Sequence, residues 1–260
     1  MHVQPNLLLF SFLYFVLSAF FSTVYAASFF NWVKESTWHP VAAIGVGTAT
    51  SSDLGKSTTF PIQNPTTDEF YNYSAYDASK TATLFNGFIG TEVALFSDWL
   101  LETGLDYNQT SPFLARGEFS QGADAQSADT YTYHYSIVTK QALIEGKLLY
   151  TFKQYFHPYV LFGLGAAFNK AYNYATSVPP FLTFTRMYSD NNTTSFSYAA
   201  GVGIDTDISD HLRLGIGYRF TNLGKAELGN ATINTTTVSG TLSQNHLYAN
   251  EGLIQLTVII

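Results

Sequence analysis

A histidine and a serine in the middle of the sequence could act together as a base and a nucleophile. His134 and Ser136 are separated by one residue, and Asp129 lies close to them. A nucleophilic serine requires an adjacent histidine that a third group holds in place. The spacing is therefore compatible with hydrolysis, but a His-x-Ser pattern is short and is weak evidence for an enzyme.

A second group of candidates consists of charged residues that alternate with bulky apolar residues. In residues 211–220 (HLRLGIGYRF), Arg213 and Arg219 share one parity with Gly215 and Gly217, and apolar side chains occupy the other. Glycine weakens a solvent-exposed strand and has no side chain to pack. The face that carries these glycines is therefore better suited to a crowded interior than to solvent. Six charged residues lie on the face opposite the bulky apolar residues of their segments, and we call them the lumen charge network. They are Glu92, Glu102, Glu145, Lys147, Arg213 and Arg219.

Inside a barrel the lumen charge network could be a structural core, a gate or an ion path. Charges that share an interior can pair with one another and with trapped water. We expect Arg213 and Arg219 to find partners among Glu92, Glu102 and Glu145. A structural core is the favoured interpretation, because removal of one member would leave a buried charge unpaired.

The composition argues against several other kinds of site. The chain has no cysteine, which excludes disulfides, thiolate metal sites and a cysteine nucleophile. The six histidines lack metal-ligand spacing, and residues 163–168 (GLGAAF) lack the third glycine of a dinucleotide loop. The net charge is −7, and no basic cluster is present for a nucleic acid. We therefore predict no metal, no cofactor and no nucleic-acid partner.

Period-2 alternation recurs in eight segments, and these are the elements that must position the charged residues. The segments are 41–50, 80–96, 99–109, 131–152, 159–172, 195–207, 211–220 and 247–260. In the fourth segment the parity of the apolar residues changes between Ile137 and Ala142. This change predicts a β-bulge in that strand.

The connections between these segments alternate in length. Three are short, whereas 51–79, 110–130, 173–194 and 221–246 are long and polar. Loops of this length without secondary structure suggest function or disorder. Short turns at one end and long loops at the other are typical of an outer-membrane barrel. Aromatic residues predict two interfacial girdles, formed by Trp99, Tyr150 and Phe152 near the short turns and by Tyr107, Tyr131, Tyr133, Tyr172 and Phe220 near the long loops.

Residues 1–26 are predicted to be a signal peptide. The stretch 7–24 is almost wholly apolar, and Val24 and Ala26 are small residues at positions −3 and −1 of a cleavage site. The segment before the apolar stretch contains no Lys or Arg, so an uncleaved anchor is the alternative. Residues 27–260 contain no apolar run as long as a transmembrane helix and are predicted to form one β-barrel domain.

Three motifs resemble the OmpA-like, opacity-type outer-membrane β-barrel family of Gram-negative bacteria. They are 157–168 (HPYVLFGLGAAF), 197–220 (SYAAGVGIDTDISDHLRLGIGYRF) and 253–260 (LIQLTVII). The resemblance implies an all-β fold, an eight-stranded antiparallel up-and-down transmembrane β-barrel with four long extracellular loops and short periplasmic turns. It also implies outer-membrane lipid, lipopolysaccharide and the barrel assembly machinery as partners. Barrels of this family usually end in an aromatic residue that the machinery reads, whereas this sequence ends in Ile260.

The resemblance implies a surface protein rather than an enzyme, namely a scaffold whose loops contact a host surface or another extracellular ligand. The third long loop contains an apolar stretch, 178–184, that would be poorly placed in water. Its candidate interaction residues are Pro179, Pro180, Phe181 and Phe184. The stretch could contact a host or lipid partner or pack on its own loops, and packing is the favoured interpretation.

Other functions remain as alternatives. A narrow pore or gated channel would use the lumen charge network as an ion path. A lipid A-modifying enzyme would use His134 and Ser136, which resemble the residue pair of lipid A deacylases. A soluble barrel is the structural alternative, and it predicts refolding in buffer without detergent.

Overall fold

The structure, a computed structural model, describes residues 38–51, 54, 58–64, 67–76, 79–96, 98–122, 129–181 and 184–260. The signal peptide predicted at 1–26 lies outside the described residues. In the part of the chain that is described, no helix is long and apolar enough to cross a bilayer.

The described residues contain sixteen β-strands. In chain order they are β1 (Trp38–Ser51), β2 (Thr58–Asn64), β3 (Thr67–Ala75), β4 (Lys80–Phe96), β5 (Trp99–Thr110), β6 (Phe113–Gly122), β7 (Asp129–Tyr150), β8 (Phe156–Thr176), β9 (Met187–Tyr188), β10 (Asn191–Ser209), β11 (Leu212–Asn222), β12 (Ala226–Glu227), β13 (Ala231–Ile233), β14 (Thr236–Val238), β15 (Ser243–Gln244) and β16 (Tyr248–Ile259).

Eight of these strands form a closed ring. The order around the ring is β1, β4, β5, β7, β8, β10, β11 and β16, and β16 pairs antiparallel with β1 to close it. Closure leaves no unpaired edge in the ring, so its backbone groups are satisfied as a bilayer requires. The predicted eight-stranded antiparallel up-and-down barrel is confirmed. The second predicted segment coincides with β4, and the others differ from the observed strands only at their ends.

Side chains alternate between the two faces of the ring as the sequence predicts. Along β11, Arg213 and Arg219 are buried, whereas Leu214, Ile216 and Tyr218 are exposed on the outer surface. The same pattern on the other ring strands forms an outward apolar band. Such a band is what a bilayer covers, and the polar parity is left to the lumen.

The prediction of a β-bulge in the fourth segment is wrong. Along β7 one parity is buried from Tyr133 to Leu149, so Tyr133 and Tyr135 face the interior together with Glu145 and Lys147. The register shift lies instead in β8, where Asn173 has a φ of 57°. Tyr133 therefore does not belong to the predicted aromatic girdle. The apolar parity changes because the interior of the barrel is itself apolar in its outer half.

The long connections are ordered where the structure describes them, contrary to the expectation of loops without secondary structure. Strands β6, β3 and β2 extend the sheet from the outer half of β7, in that order. The third and fourth connections form the short strands β9 and β12 to β15. The expectation failed because alternating residues within the connections, such as Tyr71, Tyr73 and Phe119, are buried on one face of β3 and of β6.

An apolar cluster fills the outer half of the barrel, and we call it the outer core. Ring residues such as Tyr133 and Ile137 meet Leu223, Leu228 and Leu242 of the fourth connection there, and all five are less than 5 % exposed. The Asn169 side chain of β8 also holds this connection by donating to the Leu223 carbonyl oxygen at 2.7 Å. The fourth connection is thus part of the interior packing.

Candidate functional site

Ion pairs fill the inner half of the barrel, towards the short turns. Arg213 projects from the inward face of β11 towards β4 and β5. Its Nη1 atom donates to Glu92 Oε2 at 2.7 Å and to Glu102 Oε1 at 2.9 Å. Its Nε atom donates to Asp207 Oδ1 at 2.8 Å. Arg213, Glu92 and Glu102 are all buried, so water screens these pairs little.

Lys147 continues the ion-pair cluster from β7. Its Nζ atom lies 2.5 Å from Asp205 Oδ2 and 3.4 Å from Glu102 Oε2. Glu102 is directly opposite Lys147 in the pairing of β5 with β7. The ammonium group also lies 4.3 Å from the centre of the Tyr159 ring. Glu102 therefore links the Lys147 pairs to those of Arg213.

Arg219 forms a second centre closer to the middle of the barrel. Its Nε atom donates to Glu251 Oε2 at 2.7 Å, and its Nη1 atom donates to Asp106 Oδ2 at 2.9 Å. Its Nη2 atom donates to Asn108 Oδ1 at 2.5 Å. Glu145 Oε2 lies farther from Nη1, at 3.6 Å. Three of the groups around Arg219 are thus carboxylates from β5, β7 and β16.

Amide side chains surround the Arg219 centre. Asn86 Nδ2 donates to Asp106 Oδ1 at 2.5 Å and to Asn108 Oδ1 at 2.9 Å. Gln255 Nε2 donates to Asn86 Oδ1 at 3.0 Å, and Asn108 Nδ2 donates to Gln141 Oε1 at 3.2 Å. A connected network of this kind strengthens its members and holds them in one arrangement.

The structure brings all six residues of the lumen charge network into the interior. Arg213 contacts two of the expected carboxylates, whereas the shortest ion pairs of Arg219 are with Asp106 and Glu251. The ion pairs also involve three carboxylates that were not predicted, Asp106, Asp205 and Glu251. Each has the parity of the minority face in its segment, so the alternation would have identified them.

Glycines on the inward face make room for the large side chains opposite. A Cβ atom at Gly203 or Gly217 would overlap the Tyr159 hydroxyl group. A Cβ atom at Gly215 would overlap Asp205 Oδ1. The glycines of the HLRLGIGYRF segment are therefore needed for close packing of Tyr159 and Asp205.

A histidine closes the network at the short-turn end. His157 Nε2 lies 2.8 Å from Asp207 Oδ2, and its Nδ1 atom lies 3.3 Å from Thr151 Oγ1. Since Asp207 also accepts from Arg213, the histidine is tied to the ion pairs. His157 is 2 % exposed, so this contact lies inside the barrel mouth.

The outer core contains a buried arginine among aromatic rings. Arg186 is 2 % exposed, and its Nη2 atom donates to the Ser239 and Gly240 carbonyl oxygens at 2.5 and 2.8 Å. Its guanidinium carbon lies 4.4 Å from the centre of the Phe60 ring and 5.7 Å from that of Tyr188. Arg186 was not predicted from the sequence, because it lies in an irregular connection with no alternation around it.

The predicted loop interaction residues lie at the outer end of the protein. Phe181 is 79 % exposed and Phe184 is 42 % exposed, whereas Pro179 is half-buried and Pro180 is exposed. A neighbouring groove of about 420 Å³ is lined by residues that include Tyr174, Val178, Pro179, Pro180, Thr185 and Met187. The proline pair thus forms part of a groove wall beside an exposed phenylalanine.

The predicted nucleophile pair is not assembled into a catalytic arrangement. His134 and Ser136 lie on the outward face of β7, where His134 is exposed and Ser136 is half-exposed. No hydrogen bond joins them among the described residues, and the Asp129 carboxylate accepts from Tyr131 at 3.3 Å. In the same part of the chain, no group of three or more His, Asp or Glu side chains could hold a metal ion.

The closed ring, the outward apolar band and the charged lumen define an outer-membrane β-barrel. The sequence profile described as "Outer membrane protein beta-barrel domain" matches residues 15–245, and the chain belongs to this family. The predicted resemblance and the location in the outer membrane of a Gram-negative bacterium are confirmed.

Solved structures with a similar fold include three outer-membrane proteins. They are OprG from Pseudomonas aeruginosa (13 % identity, TM-score 0.46, 85 % of this chain and 95 % of that chain), the outer membrane protease OmpT from Escherichia coli (10 %, 0.48, 85 % and 97 %) and Neisserial surface protein A (12 %, 0.41, 85 % and 96 %). No curated protein matches the sequence significantly.

Proposed function

We propose that the protein is a surface scaffold that holds its extracellular loops for contact with a host surface or another extracellular ligand. The observation that carries this proposal is the filling of the barrel interior at two levels. The ion pairs of Arg213, Lys147 and Arg219 occupy the inner half, and the outer core around Tyr133 and Leu228 occupies the outer half. Filling at both levels favours a stable support over a path for solutes.

Conductance in planar lipid bilayers tests this function against the narrow pore or gated channel. We expect the purified, folded protein to show no large steady openings. A porin inserted into the same bilayers is the positive control for the recording. Large steady openings would contradict the scaffold and support the pore alternative.

The loop stretch around Phe181 is the proposed contact surface. Its high exposure favours contact with a partner over packing on neighbouring loops. Large apolar side chains exposed beside a groove are typical of interaction sites. Pro179 and Pro180 would hold the backbone in place, since proline restricts the chain, while Phe181 and Phe184 would supply the contacts.

Adherence of Gram-negative cells that display the protein tests this surface. We expect the double variant Phe181→Ser and Phe184→Ser to reduce adherence to cultured epithelial cells severalfold at equal surface amounts. Tyr155→Ser is the matched control, because Tyr155 is also exposed but lies at the short-turn end. An equal loss of adherence in both variants would contradict the assignment.

The lipid A-modifying enzyme receives no support from the placement of His134 and Ser136 on an outward face. We therefore propose that the protein is not an enzyme of this kind. Mass spectrometry of lipid A from cells with the parent protein or with Ser136→Ala is expected to give identical spectra. A species present with the parent and lost with the variant would establish the enzyme.

We further propose export through a cleaved signal peptide at 1–26 and insertion by the barrel assembly machinery, with lipid and lipopolysaccharide around the barrel. The outward apolar residues of the ring supply the surface for lipid. Mass determination of protein from outer membranes is expected to give a chain that begins at residue 27. A chain that begins at residue 1 would support the uncleaved anchor.

A further inference from the structure

Arg186 is a buried cation surrounded by aromatic rings and carbonyl groups. Its guanidinium contacts the Phe60 ring and two backbone oxygens, as described above. Among the residues that the structure describes, no acidic side chain forms an ion pair with it. A buried charge is costly unless it is paired. Arg186 therefore differs from Arg213 and Arg219, which each contact several carboxylates.

Four buried polar atoms at or near Arg186 form no hydrogen bond of normal length, although the Tyr73 hydroxyl interacts more weakly with those of Tyr174 and Tyr188, and Tyr188 with Arg186. They are Arg186 Nε and the hydroxyl groups of Tyr73, Tyr174 and Tyr188. The rings of Tyr174 and Tyr188 lie 4.9 Å apart, and those of Tyr73 and Tyr188 lie 6.0 Å apart. Buried donors are almost always satisfied in native proteins, so donors that are only weakly paired are a place for a stronger acceptor.

We propose that these four groups bind the carboxylate of a small molecule that has an apolar body. Arg186 supplies the positive charge, and its Nε–H group and the tyrosine hydroxyls supply donors to the two carboxylate oxygens. Hydrogen bonds to an ionised acceptor are stronger than neutral ones. Burial raises the pKa of Tyr188, which keeps its hydroxyl protonated and able to donate.

The groove of about 420 Å³ is the place for the apolar body. Tyr174 belongs to both the donor cluster and the groove wall. Thr185 and Met187, the neighbours of Arg186 in the chain, also line the groove, together with Val178 and the proline pair. The ligand would thus lie in the groove with its carboxylate directed at Arg186.

This site goes beyond the proposed surface scaffold, because it assigns a ligand class to an internal cluster. Binding is measured on the purified protein, and adherence is measured on cells. Failure of one proposal is therefore distinguishable from failure of the other.

Thermal unfolding of the full mature chain in a non-ionic detergent tests the site, with benzoate as the probe. A ligand that binds only the folded state raises the unfolding midpoint, and the stabilisation grows with the logarithm of the ligand concentration once this exceeds Kd. We expect benzoate to raise the midpoint and its neutral isostere benzamide to leave it unchanged. An equal response to both compounds, or no response to benzoate, would overturn the proposal. A response to inorganic phosphate alone would overturn the carboxylate assignment.

Variants identify the groups that bind the probe. Tyr188→Phe keeps the ring and removes one donor, and we expect benzoate affinity to fall about tenfold, the loss typical of a hydrogen bond to a charged group. Arg186→Gln should abolish the response, and Arg116→Gln, at an exposed arginine of β6, should leave it intact. Should Arg186→Gln fail to fold, Tyr188→Phe and Tyr174→Phe carry the test. Unchanged affinity in the folded variants would overturn the site.

An internal counter-charge is the opposing explanation. The side chain of Glu69 lies outside the described residues, two positions before Tyr71 in β3. If Glu69 neutralised Arg186, Glu69→Gln would lower the unfolding midpoint as much as Arg186→Gln, and the double variant would lower it no further. That result would overturn the proposal. Full retention of the midpoint and of the benzoate response in Glu69→Gln would support it.

Discussion

Arg213 depends on residues from three other strands for its charge partners. Glu92 lies on β4, Glu102 on β5 and Asp207 on β10, and each accepts a hydrogen bond from the same guanidinium. A buried ion pair is weak evidence for net stability, but loss of one partner is costly because it leaves the other charge buried and unpaired. The ion pairs of Arg213 therefore couple the position of β11 to the positions of β4, β5 and β10.

Substitution Arg213→Leu is expected to lower the free energy of unfolding by about 3–5 kcal/mol, because Glu92 and Glu102 would lose their shortest ion pairs. Urea unfolding in lipid vesicles, followed by tryptophan fluorescence, measures this loss. Lys225→Ala is the control, since the Lys225–Glu227 pair is partly exposed to solvent and should contribute less than about 1 kcal/mol. Equal losses in the two variants would contradict a buried network.

Gly217→Ala is expected to lower the thermal unfolding midpoint, because the new Cβ atom would overlap the Tyr159 hydroxyl group. Overpacking of this kind typically costs about 1–3 kcal/mol. Adding Tyr159→Phe should restore most of the loss. Gly146→Ala is the control, because a Cβ atom at Gly146 would meet open space. No recovery in the double variant would show that the hydroxyl is not the obstacle.

At the scale of elements, β7 connects the two levels of the interior. Its 22 residues pair with β5 along the inner half and with β6 along the outer half. One continuous parity directs Lys147 into the ion pairs and Tyr133 into the outer core. A single strand without a bulge can serve both levels because the period of two is maintained along its whole length.

Single cysteines test this continuous parity, since the chain has no natural cysteine. We expect a membrane-impermeant maleimide to label His134→Cys in intact cells and to leave Tyr135→Cys unlabelled, because position 134 is exposed and position 135 is buried. Unfolded protein in urea, where both should react, is the control for reactivity. Labelling of position 135 alone would restore the bulge predicted from the sequence.

At the scale of the whole molecule, the barrel combines an outer surface for lipid with an interior packed at both ends. The described connections at the outer end bury their own apolar residues, and Leu223, Leu228 and Leu242 contribute to the outer core. Phe181 and Phe184 are exceptions, with 79 % and 42 % of their surfaces exposed. The external end therefore presents a few exposed groups on an otherwise ordered support.

Chymotrypsin applied to intact cells is expected to cleave first after Phe181, because this side chain is exposed at the outer end. Tyr155, in the turn between β7 and β8, should be cut only in permeabilised cells. Mass spectrometry of the fragments measures both events. Cleavage after Tyr155 in intact cells would contradict the orientation of the barrel.

Local alternation was sufficient to predict the ring strands and the face of most side chains. A shift of one residue would send every side chain of a strand to the opposite face. The alternation of Leu214 and Ile216 with Arg213 and Arg219 therefore fits only one arrangement, with the apolar residues outward and the arginines inward. The same parity placed the lumen charge network in the interior. The eight-stranded barrel and its short turns therefore follow from the sequence alone.

Only the tertiary structure decided which groups meet. The ion pairs of Arg219 with Asp106 and Glu251 depend on ring order and register. The inward orientation of Tyr133 could not be predicted from its type, because tyrosine is compatible with both a lipid face and a buried core. It follows from the apolar packing in the outer half of the interior. Arg186 lies in an irregular connection, where no periodic pattern exists, so its burial among aromatic rings arises only from packing of distant segments.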